Sequence, residues 1–414
     1  MSLLNHILVQ EQWIGYYEYL ANAGRLCHGK EYDLFKFIRD REFMAYATDV
    51  VQGKALSYPK LSLISKVGTE KRRTVYTYSR EENYMLRLIT HMLIRKYDNL
   101  FADNLYSFRA NTGAKEAIKR IINTPDIGSY YSYKVDISDY FNSIDVDRLL
   151  RMLEVIFRDD TPLYQLMHSM LTSPYVYDNG AIIEQRKGVM AGTPTAVFLA
   201  NIYLMDMDAH FEREGVLYCR YSDDIIIFAQ SEAEINQHKA TIARLLEEHD
   251  LSINTSKEQM TRPHEEWTFL GFAYRDGDVD ISKIALEKLK AKMRRKARSI
   301  YRWRIRRDKN ADSAAKVLID RFNKKLYATD DIHETNWSRW YFPLITTDRR
   351  LKEVDSYMQE CIRYVMSGRH TKANYNTRYE QLKGLGYTSL VHTWHSWRRG
   401  EIELHNVHNN GREK

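Results

Sequence analysis

Apolar and aromatic positions in the first sixty residues recur at helical spacing, most clearly at Trp13, Tyr16, Tyr17 and Leu20, so residues 1–60 read as helical. The stretch "ISKVGTEKRRTVYTYS" (64–79) changes period: two β-prone runs flank a strongly basic turn containing glycine, which predicts a hairpin. Residues 81–100 return to helix. "YYSYKVDISDYF" (130–141) predicts a strand running into a turn, and "VDRLLRMLEVIF" (146–157) a helix. "YVYDNGAIIEQRKGV" (175–189) is a second hairpin around Asn179-Gly180, a residue pair that suits a type I′ turn. An apolar helix is expected from Thr195 to Phe211, after a Gly-Thr-Pro turn. A strand pair around "CRYSDDIIIF" (219–228) follows, then an amphipathic helix over 231–249 and short strands near 252 and 267–273. Beyond residue 280 the pattern is helical almost to the end. Leu286, Leu289, Met293, Ala297 and Ile300 form one apolar face there, and lysines and arginines take the others. Strands and helices interleave in the middle of the chain, so the fold class is α+β.

One stretch in this pattern asks for an explanation. Asp223 and Asp224 stand side by side against the uninterrupted apolar run Ile225–Phe228, which reads as a buried strand. Solvated turns often carry paired aspartates. Beside a core strand, two like charges suggest that something positive belongs with them. Phosphoryl and nucleotidyl transfer commonly use two divalent ions about 3.5–4 Å apart, and Mg²⁺ prefers carboxylate oxygens while keeping some waters. A third carboxylate is available at the strand end in "YKVDISDYFNSID", namely Asp136. Asp139 and Asp145 are further candidates, although Asp145 is better placed to cap the helix that follows it.

Composition narrows the class. At 414 residues, 44% hydrophobic and 28% charged, the chain is that of a globular protein with two or three lobes. No apolar run approaches the about 18 residues that cross a bilayer, and no membrane partner is expected. The opening "MSLLNHILVQEQW" lacks a basic region followed by an apolar one, so no secretory signal is expected. The three cysteines, Cys27, Cys219 and Cys361, are too far apart for a disulfide framework, which suits a reducing cytoplasm. The net charge of +7 is concentrated: thirteen Lys/Arg lie between Lys283 and Lys309 against two acids, leaving the rest of the chain net negative. A polyanion is the natural partner of such a segment.

The order of blocks resembles that of the reverse transcriptases. "KVDISDYFNSI" resembles their first palm block, "KGVMAGTPTAVFLANIYLMDMD" the glycine-rich turn and helix after it, and "YSDD" the Tyr-x-Asp-Asp signature. "LSINTSK" and "WTFLGF" resemble the last two palm blocks, "KRRTVYTYS" the basic fingers hairpin, and "LYSFRANTGAKEAI" a block of the bacterial enzymes. Each block alone is weak; together, in family order across about residues 60–275, they are specific. The resemblance implies a right-hand polymerase fold: an N-terminal helical extension (1–60), fingers and a palm with an antiparallel sheet (61–275), a basic helical thumb and C-terminal region (276–400), and a polar tail (401–414).

The same resemblance implies roles. Asp136, Asp223 and Asp224 would be catalytic and hold two Mg²⁺ ions, helped by the Ile137 carbonyl, with Mn²⁺ able to substitute. Phe141 would lie beneath the incoming sugar as a steric gate favouring deoxynucleotides, or else be a core aromatic. Arg73, with Lys66 or Lys71, would clamp the triphosphate, though the two lysines equally suit a solvated hairpin tip. Lys257 would approach the same phosphates or simply sit at the surface. Trp267, Phe269 and Leu270 would form a primer-grip hairpin or pack in the core. Arg109 and the thumb residues Lys288, Lys292, Arg295, Arg298 and Arg302 would touch nucleic acid through phosphates. Two departures stand out at the nucleotide-facing turn. Ala191, just before Gly192, replaces a usual Gln that helps hold the sugar, and Ala196 replaces a usual Ser.

"LGYTSLV" (385–391) resembles the tail of retron and defence-associated reverse transcriptases. The pairs His392/His395 and His405/His408 have no cysteine nearby, so a structural zinc is not expected. The resemblance implies RNA-directed DNA synthesis from dNTPs on a dedicated structured non-coding RNA, giving a DNA product in bacterial antiviral defence. The compact single-protein type (type 2) is the first choice. Template-free or protein-primed synthesis and a non-catalytic RNA-binding scaffold are the alternatives; the oligomeric state is left open.

Overall fold

The computed structural model describes residues 1–23, 26, 30–65, 72–185, 188–327, 337–369 and 378–403. Lys66, Lys71, His405 and His408 lie outside the described residues. The chain divides into two compact units, Met1–Leu20 with His28–Glu265, and Ala21–Cys27 with Glu266–Lys414.

In the first unit the basic hairpin forms as its pattern predicts. β1 (Lys60–Ser65) pairs antiparallel with β2 (Arg72–Thr77) in the register Lys60↔Thr77 to Ser65↔Arg72. Next in the chain come β3 (Tyr131–Asp136), β4 (Tyr175–Asp178) and β5 (Ala181–Glu184). β4 and β5 turn at Asn179-Gly180 with both residues at positive φ, 46° and 95°, as a type I′ turn requires. One sheet has the order β2-β1-β4-β5. The other is built on β6 (Tyr218–Tyr221), β7 (Asp224–Ala229) and β8 (Gln259–Thr261), in the order β6-β7-β3-β8. β3 and β7 are its central strands, which is why Val135 and the continuous apolar run Ile225–Ile227 are fully buried.

Local chemistry fixes the helices around these sheets. Ser79 and Glu82 form a capping box at the start of helix Arg80–Lys96. Asp145 accepts the Arg148 amide and caps helix Val146–Ile156. Asp160 caps helix Thr161–Thr172 and also accepts the Leu3 amide at 2.7 Å, fastening the first residues to the unit. The helix expected over 195–211 is two helices, Ala196–Tyr203 and Met205–Arg213, broken at Leu204. Near residue 252 there is no strand, only an isolated bridge from Ile253 to Ile137.

The second unit holds a three-stranded sheet, β9 (Trp267–Phe269), β10 (Phe272–Arg275) and β11 (Asp278–Ile281), in the order β11-β10-β9. Its helices include Lys283–Arg306, Ala311–Tyr327, Arg349–Ser367 and Leu390–Arg398. Arg349–Ser367 packs on the other three. No described helix is long and apolar enough to cross a membrane.

Candidate active site

The carboxylates meet where β3 and β7 end. Asp136 closes β3 and Asp224 opens β7, and the two are register partners across the antiparallel pair. Directly opposed residues hold their Cβ atoms about 4.5–5.5 Å apart, and like charges so placed repel. Asp223 lies one residue earlier, in the two-residue loop between Tyr221 and Asp224, and its carbonyl accepts the Ile137 amide at 3.0 Å. The fully buried chain Ile225–Ile227 behind the loop fixes these carboxylates on rigid strands.

Electrostatics record the crowding. Desolvation, then the nearby Asp136, raises the Asp223 carboxyl above its usual range, with Lys257 and Arg73 acting against the shift. Desolvation pushes Asp224 up to about 6; Lys134 opposes this, and Asp223 and Asp136 add to it. The Lys257 ammonium lies 2.6 Å from Asp136 Oδ2. It sits at the end of a 3₁₀ turn, Thr255–Lys257, reached just after the Asn254 amide bonds the Asp136 carbonyl at 2.8 Å. A cation is therefore already seated on one carboxylate of the trio.

Among the described residues no group of three or more His, Cys, Asp or Glu is gathered into a ready metal cage. Mg²⁺ does not call for one, since it is usually held by one or two carboxylates together with waters and substrate phosphates. Hard oxygen donors, mutual repulsion across the strand pair and a lysine seated on Asp136 fit a divalent ion bound with substrate.

The remaining expected residues fall into groups. Arg73 is exposed on β2 and makes no ion pair among the described residues, yet its charge reaches Asp223. The glycine-rich turn packs against the same strand. The Ala191 carbonyl accepts the Tyr76 amide at 2.9 Å, and a Cβ at Gly192 (φ 101°) would stand 3.2 Å from Val75 Cβ. Ala191 is itself buried. Of the adjacent aromatics, Tyr140 is the core residue, its hydroxyl donating to the Ala200 carbonyl, while Phe141 is left half-exposed. The Phe141 carbonyl accepts the Val189 amide at 2.8 Å. Gly188 is obligatory beneath it, because a Cβ there would lie 2.1 Å from that oxygen.

Arg109 is a correction. Instead of offering its charge to nucleic acid, it is largely buried and forked onto Asp98, with Nε on Oδ1 and Nη2 on Oδ2, both at 3.0 Å. Its Nη1 donates to the Ala102 carbonyl at 2.6 Å. Its partner lies only eleven residues upstream, so it fastens its own loop. In the second unit, Trp267 and Phe269 are buried, with Trp267 stacked on Tyr274 at 5.1 Å, so packing accounts for both. Leu270 takes φ 48° and Gly271 φ 90° at the β9–β10 turn. His395 is engaged by Asp348 at 3.0 Å.

Lys288, Arg295, Arg298 and Arg302 are exposed and Lys292 half-exposed, spaced by three or four along helix Lys283–Arg306. None of the five makes an ion pair or hydrogen bond within the described residues, whereas Lys290 pairs with Glu353 and Arg304 is bound to the Val365 and Met366 carbonyls. The five form an unneutralised basic stripe.

The sequence pattern of the reverse transcriptase (RNA-dependent DNA polymerase) family matches residues 64–274, about half of the chain. The chain belongs to the reverse transcriptase family. Its elements are those of the right-hand polymerase fold, with the hairpin sheet as fingers, the β6-β7-β3-β8 sheet as palm and a helical thumb. The retron Ec86 reverse transcriptase of Escherichia coli is 25% identical over 241 residues, which cover 56% of this chain and 68% of that protein. The retron Ec48 reverse transcriptase of Escherichia coli is 28% identical over 129 residues, 30% of this chain and 29% of that protein. Among solved structures, apo telomerase from Candida tropicalis overlaps 80% of the chain and 68% of its own length, at 12% identity and a TM-score of 0.46.

This reverse transcriptase also carries a buried charge pair that the motifs did not announce. Arg220, on β6 just before the Tyr-Ser-Asp-Asp loop, is completely buried and paired with the equally buried Asp208. The sequence signal was present: Tyr218 and Arg220 share one face of a short strand that runs straight into the buried apolar strand Ile225–Phe228. Its partner stands twelve residues upstream on a different element, and only the fold joins them.

Proposed function

We propose that the enzyme copies a dedicated, structured non-coding RNA into DNA by two-metal nucleotidyl transfer, as a cytoplasmic bacterial antiviral defence protein. The observation that carries the chemistry is the opposition of Asp136 and Asp224 across β3 and β7, with Asp223 beside them and a lysine ammonium already on Asp136. Asp136, Asp223 and Asp224 would hold two Mg²⁺ ions, or Mn²⁺ in their place, with the Ile137 carbonyl adjoining. Bound with substrate, such ions activate the attacking 3′-oxygen and neutralise the leaving pyrophosphate.

The chain's own side chains do the rest. Arg73 meets the triphosphate and offsets charge that builds on it. Lys257, whose Nζ lies on Asp136, would offer its charge to the departing phosphate. Phe141 closes the floor under the sugar against a 2′-hydroxyl. With Ala191 in place of a glutamine, the sugar is held by the backbone turn packed on Tyr76 rather than by a side-chain amide. The basic stripe from Lys288 to Arg302 contacts phosphates of the template–product duplex without reading bases.

The defence role and dedicated template rest on likeness to retron enzymes and on the tail "LGYTSLV". Sequencing the nucleic acid that copurifies with the chain tests them. One defined RNA together with its complementary DNA is the expected result; random cellular RNA would remove the dedicated template. Asp223→Ala and Asp224→Ala abolish both DNA synthesis and protection from phage. Protection that survives them would leave an RNA-binding scaffold in place of a catalyst, and DNA that stays covalently on the denatured protein would point to protein priming.

A further inference from the structure

The loop that presents Asp223 is held by a buried polar lattice rather than by its own turn chemistry. Ser222 and Asp223 connect the paired residues Tyr221 and Asp224. Ser222 takes φ 60° and Asp223 does not share the positive sign, the pattern of a type II′ turn, whose first position favours glycine. A serine there is strained, and strained residues persist where the surroundings over-determine them. Both peptides flanking Ser222 are gripped. Its N–H donates to Ser107 Oγ at 2.9 Å, and its carbonyl accepts Arg220 Nη1 at 3.3 Å.

Those two grips are themselves fixed. Ser107 donates to Asn201 Oδ1 at 3.1 Å, and its carbonyl accepts Asn201 Nδ2 at 2.7 Å. Arg220 donates from Nε to Asp208 Oδ1 at 2.7 Å and from Nη2 to Asp208 Oδ2, and Tyr218 adds its hydroxyl to Asp208 at 3.1 Å. The backbone of 104–106 runs beside β6, with the Arg220 amide on the Asn104 carbonyl and the Tyr106 amide on the Arg220 carbonyl. Ser107, Asp208 and Arg220 are wholly buried. Apolar residues of similar volume commonly serve a core as well as a buried ion pair does, so stability alone does not call for this arrangement.

We propose that Ser107 and the Arg220–Asp208 pair are positioning residues that hold the Ser222 peptides and so aim the Asp223 carboxylate at Asp136. They touch neither substrate nor metal. Without them the loop peptides rotate, the strain at Ser222 relaxes, and the Asp223 carboxylate turns away from Asp136. Segment 104–107 is thereby part of the catalytic apparatus. The inference rests on Asp223 being a metal-holding residue.

The test uses the full chain with Ser107→Ala and, separately, the apolar pair Arg220→Met/Asp208→Leu. Thermal melting, affinity for a fluorescent RNA–DNA hybrid, Mn²⁺ affinity by EPR titration with a non-extendable primer and dNTP, and single-turnover incorporation are measured. The expected result is cooperative folding and hybrid affinity close to wild type, with Mn²⁺ affinity and single-turnover rate each reduced about tenfold or more. Ser107→Ala with wild-type Mn²⁺ affinity and rate overturns the proposal, whatever the double variant does. Asp223→Ala serves as the control: if it keeps full Mn²⁺ affinity and activity, the metal reading fails, whereas its inactivity beside an unaffected Ser107→Ala condemns the positioning role alone.

Discussion

At the scale of single residues, proton linkage gives the most direct check on the carboxylates. Asp224 is pushed up to about 6 from an ordinary 3.8, first by desolvation. Between those values the folded chain binds more protons than the unfolded one, so ionising Asp224 costs folding free energy. Stability contributed by this group is therefore lowest above about pH 6 and recovers as pH falls toward 3.8. Melting curves in EDTA should show wild type gaining stability from pH 7 to pH 5 relative to Asp224→Asn, which lacks the titration; parallel pH profiles would refute the assignment. Divalent binding runs the other way, because protons compete for the same oxygens, so metal-dependent synthesis weakens as pH falls, and more Mg²⁺ moves the loss to lower pH. Phe141 makes a second residue-scale prediction. Phe141→Ala should raise ribonucleotide incorporation relative to deoxynucleotide by about tenfold or more, read in paired single-nucleotide assays; an unchanged ratio would return Phe141 to a packing role. That Asp136, Asp223 and Asp224 come together at facing strand ends was legible because the signal is local, adjacent carboxylates before an apolar strand and an aspartate at a strand end. The role given to Phe141, by contrast, comes from the family resemblance alone. Arg109 and Arg220 were not legible, since whether an arginine faces phosphate or a buried aspartate depends on partners that only the folded chain supplies.

At the scale of elements, caps and turns were the easiest features to read. Asp145, the Asn179-Gly180 turn and the basic hairpin each carry their own instruction in three or four residues. The break at Leu204 had no such signal, because apolar residues continue through it and neither Gly nor Pro marks the spot. Helix Lys283–Arg306 separates two kinds of basic residue that composition lumps together. Lys290 is tied to Glu353 and Arg304 to backbone carbonyls, while Lys288, Lys292, Arg295, Arg298 and Arg302 keep free charges on one stripe. Alanine at any of these five should weaken duplex binding by a similar factor for any sequence and lower the salt slope by about 1. Thermal stability should change by no more than about 0.5 kcal/mol, since the side chains are solvated and unpaired. Lys290→Ala should leave the salt slope unchanged. Filter-binding titrations from low to moderate salt would decide it, and an equal slope for all six variants would dissolve the distinction.

At the scale of the whole molecule, the chain is two compact units, and the carboxylates, Arg73, Phe141 and Lys257 all belong to the one made of Met1–Leu20 and His28–Glu265. Multi-unit chains need not unfold in a single step, so calorimetry should resolve two transitions. A ligand that binds only the native form stabilises it by mass action, about 2.7 kcal/mol when present at 100 times its dissociation constant. Mg²⁺ with a dNTP should accordingly raise one transition by roughly 5–10 °C and leave the other in place. Asp224→Asn should cancel that shift if, as proposed, its carboxylate is one of those that hold the ion. Lys257→Met should instead enlarge it at limiting Mg²⁺, since the ammonium on Asp136 competes with the metal and its loss frees that oxygen. If Lys257→Met reduced the shift, the contact of its Nζ with the nucleotide phosphates would outweigh its competition with the metal on Asp136.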